Sequence, residues 1–294
     1  MAVFAQPRDV LHPSAFSVEA AEKWALERAA KLSEELFRLT ALWSINFVRQ
    51  PAVQERKTRY VIRLAQSQNY GLSAALGDRI ANPSAKIVGL DTRVILGEKL
   101  YRSYLDRTAL VDLVMGHVSR SPDRQIHLEG TFSEKYEARA QIVACEAEGL
   151  LRRKCLKGGR SRPQVLVIGA TAGIISALTK SGFRVSATDM SPDIVGSRLG
   201  GVKVESGRVA NAPWMKEADL TIITGMTLPN RTLSGLIQLA KQHNTSTIVW
   251  AISGRNFGHY YTENGVDCVI SDPSPFLLLP GPVMVAVWHR RDAF

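Results

Sequence analysis

From Gln164 onward the apolar residues come in short unbroken runs: VLVI at 165–168, LTIIT at 220–224, TIVWA at 247–251 and CVI at 268–270. Such runs are rich in Val and Ile and lack polar alternation, which marks strands buried on both faces. The pattern predicts strands at 165–169, 184–188, 202–205, 219–224, 247–251 and 267–270, with a last one at 283–288. Between them, mixed apolar and polar stretches predict helices near 173–181, 230–243 and 257–264. Strands alternating with helices predict a doubly wound α/β fold, a Rossmann-like and mostly parallel sheet in the C-terminal half.

The N-terminal half has a different texture. Ser17 is a helix cap, Glu19 and Glu22 suit a first turn, and Trp24, Leu32, Leu36, Leu39 and Trp43 recur at helical spacing, so one helix is expected over 18–48. Residues 58–65 read as a strand, and 69–78 (NYGLSAALGD) as a small, turn-rich stretch. Further helices are expected at 97–116 and 132–151. This half is therefore expected to form a smaller α+β/helical domain. The basic stretch RRKCLKGGRSRPQ, 152–164, reads as a helix end and a linker. The domain division expected is 1–157, a cap or substrate domain, and 163–294, a nucleoside-binding domain.

Charge narrows the partners. Of the 37 Lys and Arg, 26 precede residue 163 against 18 Asp and Glu, so the basic excess sits in the first half. There the cations are interleaved with acids along helices, as on a solvated surface, so nucleic acid is not expected. No apolar run nears the roughly 20 residues that span a bilayer, and the N-terminus lacks a signal-peptide pattern. Cys145, Cys155 and Cys268 form no C-x-x-C, which favours a reducing, cytoplasmic setting and argues against structural zinc. The six His show no ligand spacing, so no metal is expected. The expected partner is a small-molecule substrate, with a homodimer as the oligomeric option.

The candidate chemistry lies at the strand ends. Gly169-Ala170-Thr171-Ala172-Gly173 follows the first strand of the α/β half and opens a helix, where free N–H groups face a ligand. Asp189 stands 20 residues after Gly169, at the end of the next strand, where a carboxylate accepts hydrogen bonds from ribose hydroxyls. The pair reads as a nucleoside site. G-x-x-x-G replaces the dinucleotide fingerprint G-x-G-x-x-G, which weakens NAD but leaves an NAD-binding protein as an alternative. Thr224 to Asn230 and Ser253 to Phe257 follow two later strands and should border the pocket. Asn230 reads either as a cap of the next helix or as a hydrogen-bond partner of an amino-acid carboxylate. Trp214 stands where adenine would stack, or packs in the core. No Ser-His-Asp order or catalytic carboxylate pair is legible.

Asp189-Met190-Ser191-Pro192, with the strand, turn and Asp219-Leu220 that follow, resembles class I S-adenosylmethionine-dependent methyltransferases. The resemblance implies that Asp189 binds the ribose and that the region from Gly207 to Asn211 flanks adenine. A second resemblance is carried by ADLTIITGMTLPNRTLSGLIQLAKQHNTSTIVW, 218–250, through Asp219, Thr224, Gly225, Asn230, Thr232 and Leu233. It is similar to the Rossmann-like domain of the family called putative heavy-metal chelation proteins. Residues 66–150, through Asn69-Tyr70-Gly71-Leu72 and EKYEARAQIVACEAEGLL, resemble that family's enolase-like N-terminal domain. Together these imply an S-adenosylmethionine-binding enzyme, with Gly169, Ala170, Thr171, Gly173, Asp189, Met190, Asn211, Thr224 and Gly225 around the ligand. Asn230 and Tyr70 are the catalytic candidates, with Asn69 beside them. A sulfonium is already activated, so its SN2 displacement needs in-line placement more than an acid or base. Methyl transfer and cyclisation both remain open. A non-catalytic metal- or nucleotide-binding protein is the alternative.

Overall fold

The computed structural model describes residues 16–48, 59–67, 70–77, 85–152, 156, 159, 161–272 and 280–291. Helix α1, Val18–Ala29, starts where Ser17 Oγ accepts the Ala20 N–H at 3.1 Å and buries Val18, Ala21, Ala25 and Ala29 along one face. The expected helix stops there. Leu32 is exposed, and a 3-10 turn at Glu34–Phe37 leads into strand β1, Leu39–Val48. The helical spacing of Leu36, Leu39 and Trp43 is overridden by LTALWSINFV, a run rich in the β-branched and aromatic residues that favour a pleated surface. Strands β2, Arg59–Ser67, and β3, Tyr70–Gly77, complete an antiparallel meander. The stretch read as turn-rich is thus mostly a strand.

Asp91 caps the short helix α2, Thr92–Gly97, and Ser103 caps α3, Tyr104–Val118. A left-handed Lys99 (φ 56°) separates the two helices where one was expected. Thr108 to Met115 are all buried, because α3 packs against the meander on one side and shares a core with the larger sheet on the other. Arg63 of β2 and Asp106 of α3 make a buried ion pair at 2.8 Å.

The larger sheet is built from β4, Arg124–Leu128; β5, Gln164–Ile168; β6, Arg184–Asp189; β7, Arg198–Leu199; β8, Val202–Ser206; β9, Leu220–Thr224; β10, Ser246–Ala251; β11, Cys268–Ser271; and β12, Val283–His289. Its order is β4-β12-β11-β10-β9-β5-β6-β8-β7. The six strands from β11 to β8 are parallel, and β12, β4 and β7 extend the edges. Numbered along the chain from β5, the parallel strands run 3-2-1-4-5-6, so the order reverses between β5 and β9. The helices are α4, Phe132–Leu151; α5, Ala172–Lys180; α6, Gly207–Glu217; α7, Leu233–Gln242; and α8, Gly258–Glu263.

Alternate residues of each strand feed two cores. Leu166, Ile168 and Ile223 join α1, α3 and α6 to α8 on one face, and Val165, Val167 and Ile222 join α4 and α5 on the other. A mixed α/β architecture with a large, mostly parallel sheet in the C-terminal half and a smaller N-terminal part is therefore present. The layers do not follow the expected division at 157. β4 pairs with β12, and α4 packs on α5, so residues 124–151 belong to the large sheet's own layers. Six of the thirteen residues of the linker 152–164 lie outside the described residues. No described helix is long and apolar enough to cross a membrane.

Candidate nucleoside site at the carboxyl edge

The crevice where the strand order reverses is bounded by the ends of β5 and β9. Gly169, at φ +89°, turns the chain out of β5 and donates its N–H to Thr188 O at 2.9 Å. A Cβ there would run into the Thr224 side chain, 2.9 Å from Cγ2, so glycine is needed for both backbone and packing. The next residue ties the turn to β6. Ala170 N–H donates to Asp189 Oδ2 at 2.9 Å, and Ser191 N–H donates to Asp189 Oδ1 at 2.8 Å. Asp189 is half-buried. Each carboxylate oxygen holds one backbone N–H and keeps further acceptor capacity. Beside it, Ser191 Oγ is buried and has no hydrogen-bond partner among the described residues.

Thr171 starts α5 without a side-chain cap bond, so the first N–H groups of α5 are left for another acceptor. Gly173, in that first turn, faces Tyr136 of α4. A Cβ there would lie 2.6 Å from the ring's Cε1. Tyr136 stacks on the Arg139 guanidinium at 4.4 Å, and Arg139 in turn pairs with Asp272 after β11 at 2.6 and 2.8 Å. Helix α4 thus closes one side of the edge. The sequence carried no sign of this, because Arg139 and Asp272 are 133 positions apart.

On the other side, Met190 is exposed and lies with Asn211 around Gly207 at the start of α6. Asn211 Oδ1 accepts the Thr188 hydroxyl at 2.6 Å, and its Nδ2 lies toward Gly207. Met190 and Asn211 thus line the crevice beside Gly207. Trp214 is elsewhere. It lies seven residues after Gly207, about 10 Å along α6, and packs against the core. The segment 207–217, read partly as a turn, is helical despite Pro213.

At β9, Gly225 packs against β10. A Cβ would approach Ala251 Cα at 3.0 Å. Asn230 is exposed, and its Oδ1 accepts from Thr232 N at 3.2 Å and Thr232 Oγ1 at 2.6 Å, so its side chain shapes the turn into α7. The next residue, Arg231, has φ 62° and lies over the Tyr104 ring at 4.2 Å. Arg231, Leu228 and Ser234 line a cavity of about 170 Å³ with Phe16, Glu19 and Tyr104. Asn230 therefore lies in the turn between Leu228 and Arg231, two of the residues that line this cavity. Burial and the neighbouring Glu19 push the Tyr104 phenol up to about 12, so it is a hydrogen-bond donor, not a base, at neutral pH.

The N-terminal part reaches the same edge. Asp112 accepts the Asn256 N–H at 2.8 Å, Ser119 Oγ donates to Asn256 O at 3.0 Å, and β3 runs beside the turn Gly225–Thr227. Asn69 and the Tyr70 side chain lie outside the described residues.

A second set of ligand-type side chains was not legible from spacing. Glu146, Cys268 and His289 come together at the opposite, amino edge of the sheet.

Residues 158–250 match the family DUF364, described as putative heavy-metal chelation. This is the family that 218–250 resembles. A structure titled as a protein with unknown function from that family, from Desulfitobacterium hafniense DCB-2, is 13% identical, with 86% of each chain covered and a TM-score of 0.46. One from Pyrococcus horikoshii is 11% identical, with 94% of this chain and 99% of that chain covered and a TM-score of 0.49. No curated protein matches the chain.

Proposed function

We propose that this chain, whose residues 158–250 carry the family match, binds a nucleoside-bearing small molecule at the carboxyl edge of its large sheet. S-adenosylmethionine is the ligand that the residues there fit best. The observation that carries the reading is the half-buried Asp189 carboxylate beside the orphaned Ser191 hydroxyl. A ribose diol offers two O–H donors to the carboxylate and an acceptor to Ser191. Met190 and Asn211 flank the space for the base, and the uncapped start of α5 suits an anionic group.

When bound, a sulfonium supplies an activated carbon and a neutral thioether leaving group. The chain's part is to hold the ligand, keep water out with α4 and the N-terminal elements, and present one carbon in line with a nucleophile. The nucleophile is an external substrate in methyl transfer, or the ligand's own amine in cyclisation. Neither route needs Asn230 as an acid or base, in keeping with its place in a turn.

The test replaces Asp189. Charge-assisted hydrogen bonds contribute about 1.5–3 kcal/mol each, so Asp189→Ala should weaken S-adenosylmethionine roughly tenfold to a hundredfold by calorimetry. Asp189→Asn should lose less. An unchanged dissociation constant in a folded Asp189→Ala would reject the site.

A further inference from the structure

We propose that Glu146, Cys268 and His289 form a binding site for a zinc-like divalent transition metal, separate from the nucleoside site. Cys268 opens β11 and His289 closes β12, and the two are paired neighbours across the antiparallel ladder. Glu146 reaches them from α4. Their donor atoms all lie within 4.8 Å of one another. His289 Nε2 is 2.8 Å from Glu146 Oε2. Thiolate, imidazole and carboxylate are the donors that zinc takes at about 2.0–2.3 Å in a tetrahedral site with one position left open. Shifts of about an ångström or less would bring all three to that range.

The surroundings fit a ligand set. The Glu146 and His289 side chains are only 6% and 15% exposed, and Cys268 is fully buried. The other ring nitrogen, His289 Nδ1, faces Asp123 Oδ2 at 3.9 Å, longer than a hydrogen bond but on the side from which a carboxylate orients a metal-bound imidazole. Asp123 also accepts the His289 backbone N–H at 2.7 Å. The protons balance simply. Binding releases the Cys268 thiol proton and displaces the proton that His289 Nε2 shares with Glu146 Oε2, so that the bound ring keeps its one proton on Nδ1, toward Asp123. Arg124 is the competitor. It holds Glu146 Oε1 at 2.6 Å, but its side chain is 56% exposed and free to swing into water.

The experiment uses the full chain, stripped with a chelator, in a Cys145→Ser, Cys155→Ser background that leaves Cys268 as the only thiol. Titration with Co²⁺ should give one equivalent of binding with the visible absorption of a tetrahedral, thiolate-ligated ion, displaced by Zn²⁺. Losing only a hydrogen-bond partner of a metal ligand costs about 10–100-fold in metal affinity, so His289→Gln, which removes a ligand itself, should cost at least that. Arg124→Ala, an exposed change that leaves the three ligands in place, should tighten binding. Absence of Co²⁺ binding, or binding without a thiolate band, would overturn the proposal and leave a buried hydrogen-bonded cluster. S-adenosylmethionine binding is measured beside it and should be unaffected by Arg124→Ala, so the two proposals fail separately.

Discussion

Removing the carboxylate of Asp272 should unsettle both the sheet edge and the site. Asp272 is fully buried and accepts both contacts from Arg139 Nη1, at 2.6 and 2.8 Å, while its own N–H holds Ala251 O at 2.7 Å. In Asp272→Ala the guanidinium stays between the Tyr136 and Trp250 rings, 4.4 and 5.1 Å away, without its carboxylate. Breaking a buried ion pair from one side costs about 3–5 kcal/mol. The stacked rings offset part of that, so we expect about 3 kcal/mol. For a chain of this size that lowers Tm by roughly 6 °C. Urea unfolding should show a lower midpoint at unchanged slope. The double variant Arg139→Met, Asp272→Leu should recover most of the loss, because neither charge of the pair is then left buried without the other. Tyr136 should also loosen over Gly173, weakening ligand binding more than distance from Asp189 would suggest. A loss under about 1 kcal/mol, or a double variant no more stable than the single one, would refute this reasoning.

Gly169→Ala places a Cβ on the Thr224 side chain at a left-handed φ, so it should destabilise by at least about 1–3 kcal/mol in a thermal melt, and Thr224→Ser should not rescue the backbone cost. Asn230→Ala removes a turn contact and should cost no more than about 1 kcal/mol; a large fall in turnover with unchanged stability would instead make Asn230 catalytic. Burial lowers the pKa of His117, which contacts Ser67 Oγ at 3.0 Å. The folded state therefore favours the neutral ring, and its stabilisation is present above the unfolded pKa, near 6.5, and lost as pH falls through the lower folded value. Unfolding midpoints measured from pH 7.5 down to 5 should fall less steeply in His117→Gln than in the parent.

Much of the α/β half was legible because its physics is local. Runs such as VLVI and LTIIT declare strands buried on both faces, and β5, β9 and β10 begin and end within a residue of the expected positions. The place of Asp189 at the end of β6 was legible for the same reason, since its distance from Gly169 is set by one β-α-β unit. Strand β4 was not, because RQIHL is a short, half-exposed segment whose pairing with β12 lies far along the chain. The first meander strand was read as helix because Leu36, Leu39 and Trp43 recur at helical spacing, while Leu39 and Trp43, four apart, fit a strand's period of two as well. Contacts that close the site, such as Arg139 with Asp272, join residues with no shared local pattern. The same holds for Glu146 and His289, 143 positions apart.

The most direct measurement is calorimetric titration of the full chain with S-adenosylmethionine, run beside NAD. The site at Asp189 predicts one equivalent of S-adenosylmethionine bound per chain, tighter than NAD because the turn after β5 lacks the middle glycine that admits a pyrophosphate. No heat with S-adenosylmethionine, or a clear preference for NAD, would contradict the account.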